Sequence, residues 1–209
     1  MNKLVLADGF SAEKISREIA EKISGVSYHE NDKIKLSDLA YLKVLHIDFN
    51  GKTQQGELIC NKNVAKELLK IFYELYECRY PIEKIRLVDE YNADDEKSMS
   101  DNNSSCFNYR VIADTNVISM HGLGRAVDIN PLYNPYIVGE KIMPAVSSPY
   151  ADRTKNFEHK IDENDVCYKI FIKHNWRWGG NWANTKDYQH FYKPDSSIKR
   201  LVSKLKRIR

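Results

Sequence analysis

Ser119-Met120-His121-Gly122-Leu123-Gly124-Arg125-Ala126-Val127-Asp128 sets a histidine and an aspartate seven residues apart among glycines and small residues. Zinc in hydrolytic sites commonly takes three protein ligands and keeps a fourth position for water, so this pair supplies two ligands of three. Near the C-terminal end, Asp187-Tyr188-Gln189-His190 places a second histidine three positions after a second carboxylate. His121, Asp128 and His190 then complete the ligand count, with one zinc ion per chain. Asp187 remains as a carboxylate near the metal but not bound to it, suited to take a proton from the attacking water and return it to the leaving group. A lone His-x6-Asp recurs by chance in many chains, so the weight lies in the joint pattern. Gly122 and Gly124 add to it by allowing close backbone approach or a positive φ beside the metal.

Working outward, 209 residues suit one domain able to bury a single core. Hydrophobic residues at 42% and charged residues at 29% indicate a globular chain. No apolar run approaches the roughly 18 residues of a membrane span, so no integral membrane segment is expected. The net charge of +3 is too small to argue for a nucleic-acid partner. Six cations gather in residues 198–209, where Ile198, Leu201, Val202 and Leu205 share a helical face. That tail reads either as a packed terminal helix or as a segment attracted to an anionic surface. The four cysteines contain no Cys-x-x-Cys pair, and their pairing stays open. Met1 to Ala7 begins like an export signal, but Asp8 and Glu13 interrupt it, so no intact signal peptide is visible.

The patterning reads as α+β. A short amphipathic helix is expected over 11–23, capped by Ser11, as an appendage to the fold. Alternation over 41–49, a turn at Asn50-Gly51 and a second strand at 56–59 make a β-hairpin. Asn61 or Asn63 caps a helix over about 63–79, which Pro81 ends. Ile85 to Val88 is expected as a strand, and Asn92 to Ser105 as a polar loop too hydrophilic for the core. Strands carrying Asp128 (125–129) and His190 (190–192) follow, separated by a helix over 163–174. His29, His46, His159 and His174 are assigned no metal. Trp176, Trp178, Trp182, Tyr188 and Phe191 read as core, with some of them forming a wall beside the site.

The motif Ser119-x-His121-x-x-Gly124-x-Ala126-x-Asp128, with Asp187-x-x-His190 inside Trp178-Gly179-Gly180-Asn181-Trp182 to His190-Phe191, resembles the zinc peptidases of the D-alanyl-D-alanine carboxypeptidase and L-alanyl-D-glutamate endopeptidase family. More distant relatives include the zinc-bearing domain of hedgehog proteins. The resemblance covers residues 40–193, including Gly56-Glu57-Leu58, Ser104 to Arg110 and Asp128 to Tyr136. It implies a single α+β domain, a small antiparallel sheet flanked by helices, over 40–195. A lead-in at 1–39 precedes it and a basic helix at 196–209 follows. It also implies His121, Asp128 and His190 as zinc ligands and Asp187 as general base and acid. Arg110 resembles the family arginine that supports the oxyanion, against the alternative of a structural salt bridge. Ser119, Tyr109, Asn181 and Trp182 are implied as substrate-binding or ligand-orienting residues. Asn181 departs from the Trp-Gly-Gly-Asp-Trp of relatives and removes an acid near the cleft. The implied partner is the peptidoglycan stem peptide, met outside the cell or at the wall by a monomer, with a cytoplasmic location as the alternative that the missing export signal leaves open. The implied reaction is D-alanyl-D-alanine carboxypeptidase activity; the alternatives are an L-alanyl-D-glutamate endopeptidase and a non-catalytic, zinc-dependent wall-binding module.

Overall fold

The computed structural model describes residues 2–111 and 117–194. Strands β1 (Leu4–Ala7) and β2 (Phe10–Lys14) come first, then helix α1 (Arg17–Ile23). The long hairpin is β3 (Leu39–Ile47) and β4 (Thr53–Asn61), followed by α2 (Ala65–Glu77). Next come β5 (Lys84–Ile85), α3 (Asp95–Ser100) and β6 (Asn103–Ser104). Strands β7 (Ala126–Asp128), β8 (Tyr136–Val138) and β9 (Lys141–Met143) precede α4 (Val166–Lys173). The described chain closes with β10 (Arg177–Trp178), β11 (Lys186–Asp187) and β12 (His190–Tyr192). The result is a mixed arrangement of helices and small sheets around one main core. The sheets run β1-β2-β3-β4, β10-β12-β7 and β11-β8-β9, all antiparallel, with a parallel pair β5-β6.

The hairpin is longer than its alternation implies, because both faces of β3 are covered. Leu42 and Val44 turn toward α2, and Tyr41 and Ile47 are buried on the other side. Helix α2 packs Leu68, Leu69, Ile71, Phe72 and Leu75 against that sheet. Its start differs from expectation. Asn61 Oδ1 accepts the Asn63 N–H at 3.1 Å in a turn before the helix, and Val64 occupies the cap without a side-chain bond.

Several sequence readings are corrected. Residues 10–14 form a strand, not the first turns of a helix, because Phe10 and Ala12 alternate into the core at 1% and 0% exposure. The helix begins only after Ser16, whose hydroxyl accepts the Ile19 N–H. Nor is this segment an appendage, since β2 pairs with β3 from Ser11↔Lys43 to Lys14↔Ala40. The polar stretch 92–105 is likewise no surface loop: Ser98, Asn102, Asn103 and Ser104 are buried. Their amides are satisfied locally, which removes the cost of burial. Asn103 takes the Arg86 N–H and donates to Arg86 O and Ser98 Oγ, while Asn102 donates to Glu83 and accepts from Leu132 N–H. The expected strand 85–88 shortens to β5, and Val88–Tyr91 turns into a 3-10 helix. The basic terminal helix falls outside the described residues. Among the described residues no helix is long and apolar enough to cross a membrane.

Because Phe10 fills the core under Tyr73 and Tyr76, Phe10→Ala should lower unfolding stability by about 3–5 kcal/mol. Urea denaturation reads this directly, and an unchanged midpoint would restore the N-terminal strands to the status of an appendage.

Candidate metal centre

Two short strands assemble the centre. β7 and β12 pair antiparallel with His190 directly opposite Asp128, Phe191 opposite Val127 and Tyr192 opposite Ala126. Residues opposed in this way lie on one face of the sheet, about 4.5–5.5 Å apart at Cβ. Asp128 is fixed from its other edge too, exchanging backbone hydrogen bonds with Ser105 at 2.9 and 3.1 Å. Beneath the ligand face, Phe191 stacks on Phe171 with centroids 4.2 Å apart.

His121 reaches the same point from a tight turn. The turn is held by Leu123 N–H to Ser119 O and by Gly124 N–H to His121 O. Gly124 has φ +63°, and a Cβ there would lie 2.5 Å from Asn61 N, so a glycine lets the turn dock on the end of β4. The expectation for Gly124 is met for both reasons. Asn61 completes the dock by donating its backbone N–H to Gly124 O and its side-chain amide to Leu123 O.

The donor atoms converge. His121 Nε2 lies 3.0 Å from His190 Nδ1 and 3.1 Å from Asp128 Oδ2, while His190 Nδ1 lies 3.1 Å from Asp128 Oδ1. All three residues are buried, and among the described residues they form the group able to hold a metal ion. His121 Nδ1 donates to Cys106 O at 2.6 Å. A carbonyl can only accept, so this bond puts the proton on Nδ1 and leaves the Nε2 lone pair facing the other two donors. Two imidazoles and a carboxylate packed this closely away from water are stabilised by a shared proton or by a metal cation among them. Two nitrogens, one carboxylate and a fixed tautomer make a donor set suited to a divalent transition metal.

Proton affinities follow from the same crowding. Burial opposes ionisation of Asp128, but the charges and hydrogen bonds of His121 and His190 prevail and hold its carboxyl well below the usual range. Burial likewise opposes charge on His121, yet Asp128 outweighs it and raises the imidazole. Asp187 behaves oppositely. Burial pushes its carboxyl up to about 7, helped by the charge of Asp128 and opposed by His190, Gln189 and Arg110. Its Oδ2 stands 4.0 Å from His190 Nδ1, and its Oδ1 is buried without a hydrogen-bond partner. The carboxylate is therefore beside the donor set and outside it.

Gly179 makes that placement possible. A Cβ at 179 would lie 2.7 Å from Asp187 O and 2.8 Å from Asp187 Cβ, so only glycine lets β11 lie against the end of β10. Trp178 Nε1 donates to Tyr188 O at 2.9 Å, and Asp187 pairs with Tyr136 in β8. Strand β11 is thus held on both sides.

The remaining implied residues separate. Arg110 forms an ion pair with Asp95 (Nε to Oδ2, 2.5 Å), and its charge still lowers the proton affinity of His121 and Asp187. Asp95 also accepts from Asn108, a partner no motif discloses. The Ser119 hydroxyl accepts the Gly122 N–H at 2.9 Å, so it fixes the turn; Cys106 O orients the imidazole instead. Tyr109 packs on the apolar cluster around Tyr28 and Phe107, and Asn181 is exposed. Trp176, Trp178 and Phe191 are core, whereas Trp182 is partly exposed with its ring 5.4 Å from His190 and 5.9 Å from Tyr192. His46 donates from Nδ1 to Ile82 O, and His174 pairs with Glu74, both away from the donor set. All four cysteines are free thiols.

Residues 113–193 match the model of a family described as D-alanyl-D-alanine carboxypeptidase. The match bears out the resemblance carried by the motif and indicates a carboxypeptidase-like peptidase. Its span holds His121, Asp128, Asp187 and His190 and starts three residues after Arg110. No curated protein and no solved structure matched in the same comparisons.

One pH dependence follows. Asp187 binds its proton more tightly when folded (about 7) than at its ordinary 3.8. The metal-free protein should therefore lose stability through this group as pH rises from 3.8 toward 7. Asp187→Asn should flatten that part of the slope in metal-free urea denaturation. An unaltered slope would mean that the carboxyl is not held in its neutral form by burial.

Proposed function

We propose that the chain is a zinc peptidase that hydrolyses amide bonds next to D-amino acids in peptidoglycan stem peptides, with D-alanyl-D-alanine carboxypeptidase activity. The observation that carries the reading is the buried set His121, Asp128 and His190 with Asp187 beside it at 4.0 Å. A wall-binding module needs ligands but no base, and Asp187 stands buried beside the donor set with its Oδ1 free of any hydrogen-bond partner, where a base is needed. The family match over 113–193 supports the same class, and the hedgehog-like peptidase fold is part of the proposal.

His121 Nε2, His190 Nδ1 and the Asp128 carboxylate would hold the zinc. When bound, zinc acts as a Lewis acid and lowers the pKa of water toward about 7. The protein's own groups do the rest. Asp187 accepts the proton of the attacking water at its carboxylate and delivers it to the leaving amine. Asp95 holds the Arg110 guanidinium at the edge of the centre, where its charge opposes the negative charge that grows on the scissile carbonyl oxygen. Trp182 and Tyr192 flank His190 and offer an apolar wall to the peptide stem. The enzyme would act as a monomer at the cell wall.

Asp187→Ala should remove at least about 100-fold of turnover, the scale of general acid–base catalysis, while zinc content by elemental analysis stays at one per chain. His190→Ala should instead lose the metal. Mass spectrometry of products from a defined stem pentapeptide reads the activity: release of the terminal D-alanine is the expected result, and full turnover by Asp187→Ala would sink the base assignment.

A further inference from the structure

Strand β8 sets Tyr136 beside Asp187, a residue with no part in the ligand set or the proton transfers. In the β11-β8-β9 sheet Asp187 pairs with Tyr136, and Tyr136 with Met143. Directly opposed residues share a face of a sheet, so the face that carries the Asp187 carboxyl continues onto the Tyr136 phenol and the Met143 thioether. Asp187 thus stands between His190, 4.0 Å from its carboxylate, and Tyr136 on the next strand.

Tyr136 is held in place yet unspent. It is half-buried, its ring belongs to neither hydrophobic cluster, and among the described residues its hydroxyl makes no hydrogen bond. Elsewhere Tyr41 and Tyr91 donate to Glu57 and Asp101. The backbone that carries Tyr136 is nevertheless fixed. Tyr188 N–H donates to Pro135 O at 3.2 Å. The Arg153 guanidinium lies 4.2 Å over the Tyr188 ring and donates to Tyr133 O at 2.9 Å and to Asn134 Oδ1 at 3.1 Å. Beyond β9, Ala145 N–H donates to Glu96 at 2.7 Å, in the helix whose Asp95 holds Arg110. A side chain on so firm a support, with a free polar end, is preorganised for a ligand.

Its position selects the part of a ligand it meets. In a peptidase of the proposed kind the base hands a proton to the leaving amine, so the amine nitrogen must come to Asp187. Whatever that amine carries then lies one strand further out, at Tyr136. Burial raises the proton affinity of the phenol and the charge of Asp187 adds to it, so the hydroxyl stays a donor. A donor there calls for an acceptor on the leaving residue. That acceptor is a carboxylate where the residue ends the chain and a carbonyl where the chain continues. Hydrogen bonds to an ionised group are roughly twice as strong as neutral ones, so the two cases are separable by experiment.

We infer that Tyr136 binds the leaving D-alanine: its hydroxyl donates to the terminal carboxylate, and Met143 beside it packs the methyl group. The inference rests on the function proposed above and places recognition of the substrate's C-terminus on the β8–β9 hairpin.

The test compares the zinc-loaded full chain with Tyr136→Phe on a stem pentapeptide and on the same peptide with a C-terminal amide. Removing a donor to a charged acceptor costs about 10- to 100-fold, and to a neutral acceptor about 2- to 10-fold. The variant should therefore lose about 10- to 100-fold of kcat/KM on the acid and less than about tenfold on the amide, with zinc content and Tm unchanged. A tyrosine with only a structural role would lower both alike. Equal loss on the two substrates, or no loss, would overturn the inference. A second arm needs no turnover: the zinc-free chain is titrated with the same pentapeptide, and saturable ¹H–¹⁵N shifts at Tyr136, Ile137 and Met143 that Tyr136→Phe weakens are expected. Such binding by a chain that releases no D-alanine when loaded with zinc would support the subsite and overturn the proposed function. Release of D-alanine that Tyr136→Phe leaves intact would do the reverse, and neither release nor binding would overturn both.

Discussion

The register of two three-residue strands governs this centre. β7 and β12 set His190 opposite Asp128, and every other part of the site is arranged around that cross-strand pair. A slip of one residue would turn His190 to the opposite face of the sheet and bring Phe191 to the metal side. The neighbours prevent it. Phe191 is wedged on Phe171 below the sheet, Ser105 clamps the free edge of Asp128, and Arg177 and Trp178 pair with the far edge of β12. Such short strands have little ladder of their own, so their register comes from packing.

Around that pair the protein concentrates electrostatic cost. Buried donors face each other at 3.0–3.1 Å, one carboxyl is held strongly acidic and its neighbour is pushed toward neutrality. In the proposed peptidase, two carboxylates with opposed proton affinities on either side of His190 would divide the work, one to hold a cation and one to move a proton. The scaffold meets this cost through rigid, fully packed surroundings. The long β3–β4 hairpin and α2 form the core, and Asn61 at the hairpin's end receives the turn that carries His121.

Much of the site was legible from residue types. The candidate ligands and base are short motifs, and the strands holding Asp128 and His190 follow from local apolar patterning. What bound them to one another was not legible. The carbonyl of Cys106 orients His121, and a carbonyl leaves no mark on residue type. The need for Gly179 appears only once Asp187 lies against it, and Asp95 becomes the partner of Arg110 only when α3 forms. The stretch 92–105 misleads for a related reason: its hydrophilic side chains are buried because they hydrogen-bond each other and nearby backbone, which composition does not report. At the N-terminus, Ile15, Ile19 and Ile23 carry a helical period that masks the strand alternation of Phe10 and Ala12.

The central claim is that His121, Asp128 and His190 form one metal centre. X-ray absorption spectroscopy of the zinc-loaded full chain tests it most directly. The account predicts a four- to five-coordinate shell of nitrogen and oxygen at about 2.0–2.2 Å with the outer-shell scattering of two imidazoles. Sulfur at about 2.3 Å, or a shell with fewer than two imidazoles, would contradict it.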